Sequence, residues 1–266
     1  MFVFCCGMMR SGSTLQYQLA ASISEESGKG RGIGEIRWSN FAELERAYSD
    51  DSIKVCKLHH IKHLKGARSA LESGKAVGIY TFRDIRDVTV SLMSMRKTKF
   101  DNIVFKTREI PECLDNYYAW TSLPGLLISQ YEEMSQNIPE EVERIAAHLN
   151  IELSPEKTQE IANAHSKQNQ LHRIQKWNAK AEQTANPYDP KTLLLSRHIN
   201  SGKSQQWKTT LTPIQIGYLE SLAGNWLENH GYSLSQPLYV RQLSQLVYFK
   251  YALAKKLERL SHVLKK

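Results

Sequence analysis

Between Gly7 and Thr14 the chain reads G-M-M-R-S-G-S-T, a glycine-framed stretch that carries a guanidinium at Arg10 and hydroxyls at Ser11, Ser13 and Thr14. Ahead of it, Met1 to Cys6 is an apolar run rich in β-formers, long enough for one buried strand. Behind it an amphipathic helix opens. A strand that turns sharply into a helix leaves backbone N–H groups pointing outward at the positive end of the helix dipole, which makes an anion cradle. The Arg10 fork can hold a phosphate or sulfate there, the hydroxyls add donors, and Gly12 completes the loop. The spacing is that of the nucleotide P-loop G-x-x-x-x-G-K-[ST], except that Ser13 stands at the lysine position. Without that lysine the loop is poorly equipped for a triphosphate.

Such a loop needs a sheet to carry it. Ser52–Leu58, Lys75–Phe82 and Leu126–Gln130 are further strand candidates, and Ala67–Glu72, the run after Arg83, the run from Pro139 and the run from Thr212 read as helices. Strands alternating with helices through short turns predict an α/β protein with a central parallel sheet covered on both faces, a three-layer α/β/α arrangement. Ser27–Gly34, with glycine at 28, 30, 32 and 34, is expected to be a mobile loop; it fails the dinucleotide fingerprint because Ile33 stands where the third glycine is needed.

The chain has 266 residues, room for one sizeable core, and its four cysteines show no metal or disulfide spacing. A reduced, cytoplasmic protein is expected, with no leader and no membrane-spanning helix. The net charge of +8 suggests nucleic acid until it is located. From Arg241 onward seven basic residues face the single acid Glu258, so a basic tail carries most of the excess and the body has no basic groove. That tail, from Pro237, repeats Leu243, Leu246, Lys250, Leu253, Leu257, Leu260 and Leu264 three and four apart, a heptad seam. We expect a domain over 1–232 and a basic amphipathic helical tail over 233–266. The tail packs on its own domain, pairs with a second copy, or lies on an anionic membrane surface.

G-M-M-R-S-G-S-T resembles the 5′-phosphosulfate loop of sulfotransferases that use 3′-phosphoadenosine 5′-phosphosulfate (PAPS). Two later stretches agree. Tyr80–Ser91, Y-T-F-R-D-I-R-D-V-T-V-S, resembles the family's 3′-phosphate segment, with Arg83 leaving a strand and Ser91 eight residues on in the next helix. Arg197–Lys208, R-H-I-N-S-G-K-S-Q-Q-W-K, resembles the late R-K-G-x-x-G-D-W-K loop, with Gly202, Trp207 and Lys208 matching and Ser201 and Lys203 placed to contact the phosphate. The sequence departs from many cytosolic members at Leu15, where they have tryptophan, and at Ile85, where they have proline. The resemblance implies the P-loop NTPase-like sulfotransferase fold and transfer of a sulfuryl group to a hydroxyl of a sugar, lipid or small molecule, releasing 3′-phosphoadenosine 5′-phosphate (PAP) without a metal.

The same resemblance offers two bases. Lys57-Leu58-His59 resembles the K-T-H of cytosolic sulfotransferases, in which the histidine takes the acceptor's proton and the lysine bridges the transferring group. Gly34-Glu35-Ile36-Arg37 resembles the G-E-x-x-R region of tyrosylprotein sulfotransferases, which use a glutamate. Histidine titrates near neutrality and glutamate needs burial to become as basic, which favours His59. Lys57 and Arg10 would then hold charge on the leaving group. The histidines at 59, 60 and 63 sit among Lys57, Lys62 and Lys65, a poor setting for zinc. The other readings are a P-loop kinase of a small metabolite, disfavoured by Ser13, and an inactive nucleotide-binding module working through its tail.

Overall fold

The computed structural model describes residues 1–36, 39–180, 191–194 and 203–264. In chain order the main elements are β1 (Phe2–Gly7), α1 (Ser13–Glu26), β2 (Gly30–Glu35), α2 (Phe41–Ala47), β3 (Ile53–Lys57), α3 (Ala67–Glu72), β4 (Ala76–Phe82), α4 (Ile85–Arg96), α5 (Glu109–Thr121) and β5 (Leu126–Gln130). Then follow α6 (Tyr131–Gln136), α7 (Ile138–His148), α8 (Pro155–Ala164), α9 (Lys167–Lys180), α10 (Trp207–Thr210), α11 (Pro213–Asn229) and α12 (Leu238–Leu264). The chain forms two compact units, Met1–Arg83 with Asp115–Gly202, and Asp84–Leu114 with Lys203–Lys266.

The first unit holds the sheet. Its five strands run parallel in the order β2-β3-β1-β4-β5, so β1 is central and has a partner on each side. Every residue of β1 is buried, as a strand covered on both faces must be, and its sequence is correspondingly continuous in apolar residues rather than alternating. Val3 and Cys5 face a core built with Leu19, Ala20 and Ile23 of α1, Val142 and Ile145 of α7 and Ile161 of α8. Phe2 and Phe4 point the other way, each packing edge-on against Phe41 of α2. Helices on both faces of a parallel sheet give the three-layer α/β/α arrangement.

The glycine-rich stretch expected to be a mobile loop is instead the edge strand β2, paired in parallel with β3. Its glycines are needed because neighbours come close. A side chain on Gly30 would collide with Ile53, and a Cβ on Gly32 would lie 2.7 Å from Tyr17 Oη and 3.1 Å from Ala21 Cβ of α1. Tyr17 Oη also accepts the Gly34 N–H at 3.0 Å. What reads as flexibility is clearance for a helix laid across the strand.

The second unit is helical. The first two turns of α4, Ile85 to Leu92, are buried, with Asp84 accepting the Arg86 N–H at 2.9 Å as the cap. Helix α11 begins with a capping box between Thr212 and Gln215 and is crossed closely by α12: a Cβ on Gly217 would lie 3.2 Å from Ser244 Oγ and from Val240. Tyr248 of α12 completes an aromatic cluster with Tyr218, 4.7 Å between centroids, and Phe105, 5.1 Å. No helix among the described residues is long and apolar enough to cross a membrane. The stretch Thr184–Asp189, whose Asn186-Pro187 and Asp189-Pro190 steps predict an irregular connection, lies outside the described residues.

Candidate active site

In a parallel sheet the carboxyl ends of all strands meet at one edge, where such folds place their ligands. Here that edge gathers the loop after β1, Lys57 at the end of β3, Arg83 just past β4, and Tyr131 and Glu132 just past β5.

The loop is held from β4. Met8 N–H donates to Thr81 O at 2.9 Å, and Ser11 Oγ lies 2.7 Å from Met8 O, 3.0 Å from Thr81 O and 2.8 Å from Thr81 Oγ1. Ser11 is fully buried, so its hydroxyl braces the turn. Gly7 must lack a side chain because Thr81 Oγ1 occupies that space, and Gly12 must lack one twice over: its φ is 87°, and a Cβ would meet Met134 and Tyr131 at 2.7 and 2.9 Å. Arg10 also takes a left-handed backbone, φ 64°. A non-glycine residue held there marks a loop shaped for more than connection. Ser13 and Thr14 are partly exposed at the start of α1, as donors to an anion need to be.

A cation from another strand also reaches the loop. Lys57 Nζ donates to Thr14 Oγ1 at 2.7 Å. Its side chain is nearly buried, and desolvation pulls its pKa down to about 8; the nearby Glu35 carboxylate opposes the shift and Arg10 adds to it. Lys57 is thus electrostatically in touch with the cradle on one side and with Glu35 on the other. Glu35 and Lys57 are register partners across β2 and β3. Two residues beyond Lys57, His59 Nε2 lies 3.2 Å from Glu35 Oε1, both side chains half-exposed. The two candidate bases therefore form one pair. Asn116 Nδ2 donates to His59 O at 3.1 Å and fixes the backbone there.

Arg83 is buried beside the same loop. Its Nη1 donates to Arg10 O at 3.4 Å, its Nε lies 3.9 Å from Glu132 Oε1, and its guanidinium covers the Tyr131 ring at 4.4 Å. Leu15 packs against the core of the first unit. This acidic and aromatic company of Arg83, just past the strand candidate Leu126–Gln130, was not legible from the sequence.

The remaining expected ligands belong to the second unit or lie outside the described residues. Ser91 is buried in α4 and Lys203, within the late loop, is exposed; Ser201 and Gly202 lie outside the described residues. Within the second unit a residue not singled out from the sequence ties that loop to α4. Asp87 Oδ2 accepts the Gln205 N–H at 2.7 Å, and its Oδ1 accepts the Trp207 N–H at 3.2 Å. Next to it, buried Arg86 pairs with Asp84 at 2.8 Å and Glu220 at 2.7 Å and lies 3.9 Å over the Trp207 ring. Arg-Asp repeats on a helix suggest an exposed charged face; here both residues are interior and loop-fixing. Among the described residues no three His, Cys, Asp or Glu side chains gather as a metal site.

Comparisons with known proteins bear on this arrangement. Solved structures with the same fold include the mouse sulfotransferase SULT7A1 complexed with PAP, 14% identical, with a TM-score of 0.63 over 94% of this chain and 88% of that one. Retinol dehydratase in a complex with retinol and PAP is 17% identical, with a TM-score of 0.57 over 89% and 83% of the two chains. The same enzyme with androsterone and PAP is 18% identical, with a TM-score of 0.57 over 89% and 82%. No curated protein matches the sequence. At these identities the structural likeness establishes the fold, a parallel sheet flanked by helices. The sequence itself goes further: residues 2–231 match the sulfotransferase domain, and the chain belongs to the sulfotransferase family.

Proposed function

We propose that this chain transfers the sulfuryl group of PAPS to an acceptor hydroxyl on a sugar, lipid or small molecule, releasing PAP, with His59 as the base. The observation that carries the reading is the continuity from Thr14 through Lys57 to the Glu35–His59 pair: an anion cradle, a buried cation and a proton acceptor in sequence along one sheet edge. The residues fit the cofactor. Backbone N–H groups after β1, Gly12, Ser13, Thr14 and Arg10 suit a 5′-phosphosulfate, with Ser11 bracing the turn. Arg83, Ser91, Ser201, Gly202 and Lys203 are the 3′-phosphate ligands that the family resemblance indicates.

PAPS, when bound, supplies a sulfuryl group on a good phosphate leaving group. Arg10 and Lys57 would hold the negative charge that develops on the phosphate leaving group. His59 takes the acceptor's proton as the new O–S bond forms in line. With Nε2–H donated to Glu35, Nδ1 is the nitrogen that accepts, and the Glu35 carboxylate balances the imidazolium that results. No metal is needed, because the sulfuryl group carries less charge than a phosphoryl group. A reducing, cytoplasmic setting belongs to the same reading, supported by Cys5, Cys6, Cys56 and Cys113, all buried thiols.

Titration calorimetry of the protein with PAP, against ADP and magnesium-ATP, tests the cofactor. Tight binding that needs the 3′-phosphate and is lost in Arg83→Ala is expected; preference for magnesium-ATP would replace this reading with a kinase. Labelled-sulfate transfer from PAPS across a panel of sugar, lipid and phenolic hydroxyls then identifies the acceptor.

A further inference from the structure

Helix α12 wears its apolar side outward. Tyr239, Leu243, Leu246, Val247, Phe249 and Leu253 are between 42% and 70% exposed. At about 3.6 residues per turn they fall on one half of the helix circumference. The opposite half makes the packing: Ser244 and Tyr248 are buried, with Val240 and Ser244 lying close to Gly217 of α11 and Tyr248 against Tyr218 and Phe105. The leucine seam at 243, 246 and 253 is therefore not what holds α12 to α11. A contiguous apolar face of this kind marks an interaction surface rather than ordinary surface scatter.

Charge selects the occupant. From Lys250 to Lys266 the sequence has six basic residues and one acid, and Lys250 is exposed in the seam between Leu246 and Leu253. A second copy laid along the seam would set two such helices side by side, with like charges facing and a lysine ammonium enclosed between leucines. An anionic lipid surface meets the same residues favourably. Basic side chains find headgroup phosphates and carboxylates, Lys250 extends along its own methylenes to reach them, and Tyr239 and Phe249 suit the headgroup boundary. We infer that α12 is a peripheral membrane-binding helix whose outward apolar face lies on an anionic bilayer surface.

The test is sedimentation of the full chain with vesicles of phosphatidylcholine mixed with phosphatidylserine, against pure phosphatidylcholine. Binding to the mixed vesicles at least ~10-fold stronger than to the neutral ones, weakened by high salt, is expected. The double variant Leu246→Glu, Leu253→Glu should abolish it; both positions are exposed, so an unchanged thermal midpoint and circular dichroism spectrum exclude misfolding. Absence of binding, equal binding to neutral vesicles, or binding that the double variant leaves intact would each overturn the inference. So would a concentration-dependent dimer in sedimentation equilibrium that the double variant dissociates, which would assign the face to a second copy.

Discussion

His59 Nε2 lies 3.2 Å from Glu35 Oε1, joining the ends of the neighbouring strands β3 and β2. A carboxylate at that distance fixes the imidazole's orientation and tautomer and compensates the charge it gains on taking a proton. Because Lys57 lies between this pair and Thr14, the pair also stands within electrostatic reach of the anion cradle. In the proposed reaction, one geometry would serve both the proton and the leaving group.

The pair predicts a pattern of turnover losses. His59→Ala should lower kcat by about 10²–10⁴ with PAP affinity retained, as expected for loss of a general base. Glu35→Gln should cost about tenfold less than the histidine change, and the double variant should be no worse than His59→Ala, because residues acting as a unit are not additive. Single-turnover kinetics with saturating PAPS check this. A glutamate variant slower than the histidine variant would make Glu35 the base.

Lys57 predicts proton-linked cofactor binding. Burial holds its pKa at about 8, below the ordinary lysine value. An anion bound in the cradle favours the ammonium and pushes that pKa back up. Above pH 8 the empty site has lost the proton and the occupied site retains it, so binding takes up a proton and affinity falls as pH rises; well below pH 8 both states are protonated and the linkage vanishes. Calorimetry of PAP at pH 9 in two buffers of different ionisation enthalpy should show this uptake, and Lys57→Met should abolish it. Uptake unchanged in that variant would assign the linkage to another group.

Asp87 predicts a defect in the late loop rather than in chemistry. Its carboxylate accepts the N–H groups of Gln205 and Trp207, so Asp87→Ala frees the segment that follows Lys203. The expected result is PAP affinity weakened by about tenfold, the worth of one or two charge-assisted hydrogen bonds, with kcat at saturating PAPS nearly unchanged. Binding of adenosine 5′-phosphosulfate, which lacks the 3′-phosphate, should barely move. A loss shared equally by both nucleotides would refute the positioning role.

Much of this was legible from local pattern. Apolar runs bounded by turns placed β1, β3, β4 and β5, and the run from Thr212 announced α11. What escaped depends on partners distant in sequence. Gly30 and Gly32 look like a loop until Ile53, Tyr17 and Ala21 are seen to occupy the space their side chains would need. Lys57 reaches Thr14 Oγ1 across 43 positions of sequence, which no spacing motif can register. Asp87 is called to its role by a loop 118 residues away. Helix α12 misleads for another reason: its packed face carries Ser244 and Tyr248 while Leu243, Leu246 and Leu253 are exposed, so hydrophobic periodicity finds the helix and misassigns the side that packs.

Glu220 predicts where the second unit is most vulnerable. Its carboxylate is buried and accepts from Arg86 Nη1 at 2.7 Å, Ser235 N–H at 2.8 Å, Ser235 Oγ–H at 2.9 Å and Gln236 N–H at 2.9 Å, so it fastens α4 to the turn before α12. Glu220→Ala removes the acceptor and leaves the Arg86 guanidinium buried with Asp84 as its remaining carboxylate. Breaking a buried pair in this way costs about 3–5 kcal/mol. Removing Arg86 as well only moves the problem, because Asp84 would then be a buried carboxylate without its cation. The triple variant Asp84→Asn, Arg86→Met, Glu220→Leu removes all three charges and keeps an amide oxygen to cap α4, so it should recover a large part of the loss in chemical denaturation. A triple variant no more stable than Glu220→Ala would mean that the cost lies in the lost backbone acceptor at Ser235 and Gln236 instead of in the stranded cation.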